Sequence, residues 1–156
     1  MADKLSLQKT LEQGRAKFAY ECAEAGKNIC SKCEISNEWY EDDKYKSYVQ
    51  KFPMLIKTNG LGSALAFYAS KRQKEKNGEK SGTKKNRKNA YDLIYNQITE
   101  WLKAEPKGLL SDRLGNDDLI KVLIDLDSAD YRVVTNEVLS FFTWLKRFAE
   151  GLTEGD

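Results

Sequence analysis

Three cysteines, several carboxylate pairs and a dense run of lysines are the residues of this chain whose types could do chemistry. Cys30 and Cys33 form a C-x-x-C, the spacing of a zinc knuckle arm or a redox pair. A structural zinc needs four ligands, and only Cys22 could be a third, because the chain has no histidine. No metal site is therefore expected, and the thiols are expected to be reduced and without function. The absent histidine also removes the usual general base and the Ser-His and Cys-His nucleophile pairs. Asp42-Asp43 and Asp117-Asp118 lie in polar stretches where solvated or helix-capping roles are expected. Asp125 and Asp127 are two residues apart, a spacing that does not put both on one helical face. Gly60-Leu61-Gly62 lacks the third glycine and the Lys-Ser/Thr partner of a phosphate loop, so it reads as a break between helices. No catalytic constellation and no cofactor follow from these residues, and the chain is not expected to be an enzyme.

The basic residues are different. The chain has 26 Lys+Arg against 24 Asp+Glu, a net charge of +2 over 156 residues. Residues 71–88 alone hold nine Lys/Arg and two Glu, a local net of +7, which leaves −5 elsewhere. From Asn77 to Lys88 there is no hydrophobic residue to bury, so a mobile basic loop is expected at 77–88. Such a loop in a nearly neutral protein suggests a polyanion partner. No base-reading motif accompanies it, so contacts would go to backbone phosphate and be indifferent to sequence.

The elements that position these residues are helices. Leu7, Leu11, Phe18 and Cys22 mark an amphipathic helix at about 4–25. Tyr45, Val49, Phe52 and Ile56 mark a second, which Pro53 should kink or restart and Asn59-Gly60 should end. A third is expected at about 61–76 from Leu61, Ala64, Leu65 and Tyr68. A fourth carries Tyr91, Ile94, Ile98 and Trp101 and stops before Pro106. Asn116 can cap a fifth, with core residues Leu119, Ile120, Leu123, Ile124 and Leu126 expected, and Asp117 and Asp118 in its first turn. Asp127 or Ser128 can cap the last, whose Val134, Val138, Phe141, Phe142 and Leu145 keep a period of about 3.6 residues. Trp101, Trp144 and the phenylalanines sit at helical spacing and are expected in the core. No strand pattern of useful length appears. The fold expected is all-α, a single-domain bundle of five or six helices over 1–156. There is no apolar N-terminal stretch of secretory type and no run of about 20 apolar residues for a membrane span, so a cytoplasmic protein is expected.

Three segments add a family likeness. Phe52 to Tyr68 reads FPMLIKTNGLGSALAFY. Tyr131 to Thr135 with Glu137 leads on to Trp144-Leu145-Lys146-Arg147-Phe148-Ala149-Glu150. Leu11-Glu12-Gln13-Gly14-Arg15-Ala16 with Phe18-Ala19-Tyr20 is the third. Together, across about residues 8–150, the chain resembles the small α-helical subunit of the Cmr module, the type III-B CRISPR effector complex. The C-x-x-C stretch and the lysine-rich loop depart from that pattern, and no family role passes to them. The resemblance implies a non-catalytic subunit of antiviral defence. It implies stacking in several copies beside the filament that holds the CRISPR RNA, ending against the large subunit. Basic surface would line the groove where guide and target RNA pair. The candidate RNA-contacting residues are Arg15, Lys17, Lys57, Lys71, Arg72, Lys146 and Arg147. Two other readings stay open on the sequence. One is a helix-turn-helix DNA-binding regulator turning at Asn59-Gly60, whose second helix looks too apolar for a DNA groove. The other is a cysteine-based metal or redox module.

Overall fold

A computed structural model describes residues 2–30, 33–35, 38–72, 88–106, 108–115 and 117–152, with side chains of residues 2–8, 38 and 39 left aside. Six helices and one small hairpin account for the described chain. The order is α1 (Ala2–Asn28), β1 (Cys33–Ile35), β2 (Glu38–Tyr40), α2 (Tyr45–Asn59), α3 (Leu61–Ser70), α4 (Ala90–Ala104), α5 (Leu119–Ile124) and α6 (Ser128–Leu152). The architecture is an all-α bundle, as the helical periodicities require.

The longest helix with a clear apolar stripe is α6. Val134, Val138, Phe141, Phe142, Leu145 and Ala149 recur every three or four residues and are all buried. That stripe packs along α1 on one side and α2 on the other. Phe141 stacks on Trp101 of α4 at 5.6 Å between ring centroids, and Phe18 of α1 meets both rings. Phe142 meets Phe52 of α2 at 5.0 Å, and Phe52 leans on Tyr68 of α3 at 4.8 Å. Each fully buried ring of this kind stabilises the fold by roughly 1.5–3 kcal/mol relative to exposure. Phe52, Trp101, Phe141 and Phe142 therefore serve the core, as their spacing implies, whereas Phe18, Trp144 and Phe148 are partly buried against it and Phe67, also expected there, is 46% exposed.

Helix ends follow local chemistry. Asn89 caps α4 through a reciprocal box: its side chain accepts from the Asp92 N–H, and the Asp92 carboxylate accepts from the Asn89 N–H. Asp42 reaches over from the α2 entry and accepts the Ala90 N–H at 2.9 Å, satisfying another donor of that helix start. Asp127 caps α6 by accepting the Asp130 N–H at 2.8 Å. The carboxylate pairs expected as caps thus supply two of them. Asp117 and Asp118 precede α5 instead of occupying its first turn, Asn116 lies outside the described residues, and Asp118 accepts from the Tyr95 hydroxyl at 2.8 Å. Ile124, expected in the core, is 75% exposed because it ends this short helix beyond its buried face.

Three sequence expectations change. Helix α2 runs unbroken through Pro53, because Val49, Phe52 and Ile56 on either side are buried against α3 and α6. That burial outweighs the one hydrogen bond the proline cannot donate. Cys33–Ile35 and Glu38–Tyr40, in a chain where no strand pattern of useful length was expected, pair as antiparallel strands with Cys33 opposite Tyr40 and Ile35 opposite Glu38. Three-residue strands are too short to show alternation. The third helix ends at Ser70, and 77–87 of the expected basic loop fall outside the described residues. Lys88 is described, and its carbonyl accepts the Glu41 N–H at 3.1 Å.

Candidate nucleic-acid interface

The seven candidate cations separate into three groups. Lys57, Lys146 and Arg147 converge. Lys57 is in the last turn of α2, and Lys146 and Arg147 are in the C-terminal half of α6. With Pro53, Leu139, Phe142, Thr143 and Glu150 they line an open groove of about 520 Å³ between the two helices. All three are exposed, and none makes an ion pair among the described residues. The one carboxylate lining it, Glu150, accepts from Gln50 Nε2 at 3.2 Å.

The groove exists because of how the helices are written. Buried Phe52 and Ile56 hold α2 against α6, and buried Phe142 and Leu145 hold α6 in return. Positions one residue off each stripe are forced to the lip. On α6 these are Leu139, Thr143, Lys146 and Glu150, a recurring spacing of three or four, with Arg147 one position further round. Pro53 and Thr143 are groove residues that the sequence reading did not single out. The same α6 spacing was the signal available for Thr143.

Lys17 on α1 and Lys71 at the end of α3 are exposed but lie outside this groove. The Lys71 ammonium sits 5.5 Å from the Phe67 ring centroid.

Arg15 and Arg72 are committed to the protein. The Arg15 guanidinium makes a two-pronged contact with Glu137, Nε to Oε2 and Nη2 to Oε1, both at 2.8 Å. Its Nη1 donates to Glu12 at 2.9 Å. The side chain is 11% exposed and that of Glu137 fully buried. The Glu137 hydrogen bonds raise the Arg15 pKa further, so it stays charged. Trp101 Nε1 donates to the same carboxylate at 3.0 Å. Arg72 bonds Asp92 at 3.3 Å and lies over the Tyr95 ring at 4.6 Å. Arg15 is a buried structural ion, and Arg72 a half-buried tie between the end of α3 and the start of α4.

The motif residues behind the family likeness prove to be ties between elements. Tyr131 of α6 accepts the Gly62 N–H at 2.7 Å, which seats the start of α3. Gly60 between α2 and α3 has φ +89°, a left-handed conformation suited to glycine. Glu137 joins α6 to Arg15 of α1 and Trp101 of α4. Each of the three segments thus contributes a partner to another part of the bundle. A sequence model described as CRISPR-associated protein (Cas_Cmr5) matches residues 11–152, nearly the whole bundle.

The chain belongs to the Cmr5 family.

Cmr5 is the small subunit of the type III-B Cmr complex. The bundle is similar to the crystal structure of a CRISPR-associated Cmr5 family protein from Thermus thermophilus. The similarity has a TM-score of 0.59 at 24% identity and covers 92% of this chain and 98% of that one, which establishes a shared fold.

The buried face of α3 carries Leu61, Ala64, Leu65 and Tyr68, so the helix that follows the Gly60 turn is part of the core. Cys22 is buried, Cys33 half-buried and Cys30 exposed, and burial pushes all three thiols up. Among the described residues no group of three His, Cys, Asp or Glu could hold a metal ion. No described helix is long and apolar enough to cross a membrane.

Proposed function

We propose that this Cmr5 protein is a non-catalytic RNA-groove subunit. Several copies stack beside the RNA-holding filament of the complex, next to the large subunit. Each copy contacts the backbone of guide and target RNA through the α2–α6 groove. The observation that carries this reading is the convergence of Lys57, Lys146 and Arg147 on one open groove, without ion-pair partners among the described residues. Exposed lysines and an arginine along the groove lip suit phosphate. Base pairing supplies the sequence information, and the protein supplies cations along a densely anionic strand. Lys17 and Lys71 add to the field at longer range, while Arg15 and Arg72 are held by carboxylates and leave the contact set.

Single-copy affinity should be modest. Repetition along one strand raises it through effective concentration. The test is binding of the full chain to single-stranded RNA over a salt series. Three phosphate contacts at about −0.7 each give a slope near −2 in log affinity against log salt. Combined Lys57→Ala, Lys146→Ala and Arg147→Ala should remove most of that slope. An unchanged slope in the triple variant would show that RNA lies elsewhere.

A further inference from the structure

Tyr20 of α1 is 43% exposed, and Phe67 is the only other exposed aromatic ring among the described residues. The Tyr20 ring meets Phe148 of α6 edge to face, with 5.3 Å between centroids. Phe148 in turn stacks on Trp144, one turn earlier, at 5.8 Å and 27° between planes. Trp144 and Phe148 are half-buried against the core. Trp144 is also held by a hydrogen bond, its Nε1 donating to Glu12 at 3.2 Å, and Glu12 accepts from Arg15 as well. The three rings form a fixed ladder across the α1–α6 seam. Cations flank it. Lys17 lies one turn before Tyr20 on α1, and Arg147 lies one turn after Trp144 on α6, both exposed. At about 100° per residue, Thr143, Lys146 and Glu150 fall on the α2 side of α6, Trp144 and Phe148 on the α1 side, and Arg147 between them. Arg147 also lines the α2–α6 groove, so the groove and the ladder are two sides of one helix joined by an arginine.

We propose that this ladder is a stacking site for an unpaired RNA base, with Tyr20 as the platform and Lys17 and Arg147 on the flanking phosphates. The inference rests on the RNA reading above and extends it from backbone to base. A planar ring beside two cations suits a nucleotide, which offers a flat face and an anion together. A strand whose phosphates lie in the α2–α6 groove passes Arg147 as it crosses α6, and the next surface it meets is the ladder. Glu24, exposed one turn after Tyr20, repels phosphate and keeps the strand on the Lys17 side. Stacking does not select a sequence, because every base has a π-face. Bases inside a duplex already stack on their neighbours, so the site takes a nucleotide that is outside the guide–target pairing. Single strands should therefore bind this chain more tightly than a duplex of the same length.

The test compares binding of the full chain to a single-stranded RNA and to the same strand with abasic central positions. The wild type should bind the intact strand about five- to a hundredfold more tightly, the usual range for one stacked base. Tyr20→Phe should keep that preference. Tyr20→Leu fills the same place against Phe148 without a planar ring, and should bind both strands equally. Both variants should keep the salt slope of the wild type, since an uncharged ring displaces no counterions. Equal wild-type binding to the two strands overturns the proposal, and needs no variant to show it. So does a Tyr20→Leu variant that still prefers the intact strand, which would leave the rings to a protein partner. Lys57→Ala with Lys146→Ala separates this from the groove reading. A base preference with a salt slope that this pair leaves unmoved removes the groove and keeps the ladder. A slope lost in the pair, with no base preference in the wild type, removes the ladder alone. A wild type that binds neither strand at low salt overturns both.

Discussion

Glu137 is the polar centre of the bundle. Its carboxylate is fully buried, yet both oxygens are used: two bonds from Arg15 and one from Trp101. Such a pair adds little over a well-packed apolar pair, but losing one partner leaves a charge buried without compensation. Glu137→Ala is expected to lower stability by about 3–5 kcal/mol, measured by urea unfolding. Arg15→Met with Glu137→Leu should lose far less, because neither charge is then stranded. The double variant also separates structure from function, since its RNA affinity should match that of the wild type. In the sequence, Arg15 is an ordinary helix-face cation and Glu137 an ordinary helix-face carboxylate. Their partnership spans 122 residues and is set only by how α1 meets α6.

At the scale of elements, the close approach of α1 and α2 is governed by one glycine. Gly26 is buried in the last turns of α1, and a Cβ built there would fall inside the Tyr45 ring. Tyr45 is itself fully buried, and its hydroxyl donates to Gln97 of α4 at 2.5 Å, so the ring has nowhere to move. Gly26→Ala should therefore destabilise by at least about 1–3 kcal/mol despite the better helix propensity of alanine, measured as a lower unfolding midpoint. Gly26 and Asn28 read in the sequence as the end of the helix, and α1 ends at Asn28, with Gly26 still inside it. The residue is small because of what lies across from it. Pro53 teaches the same point from the other side: the local rule predicts a break, and packing on both flanks of α2 overrides it. The Asn59-Gly60 break was legible, because it depends on a backbone angle that the residue itself favours.

The whole molecule divides its charge. The α2–α6 groove is cationic, the α5–α6 corner is acidic, and both are exposed. For RNA on the cationic groove, a fourfold rise in salt should weaken single-copy binding about sixteenfold. The effect should be equal for uridine-rich and mixed-sequence strands, checked by parallel titrations of the two. A strong preference for one sequence would show base contacts and overturn a backbone-only reading of the groove.

The order of residues was enough to place the helices and most of their core stripes, the Gly60 break, the absence of histidine and the family likeness. These rest on local periodicity, backbone preference and residue type, which neighbours along the chain reveal. Which cations are available was settled by tertiary packing alone. Arg15 and Lys17 are two residues apart on one helix, yet one is locked to Glu137 and the other is exposed. Lys57 and Lys146 are far apart in the chain, yet they share a groove. The availability of a charge depends on what a distant segment places beside it, and a single helix pattern carries no record of that segment.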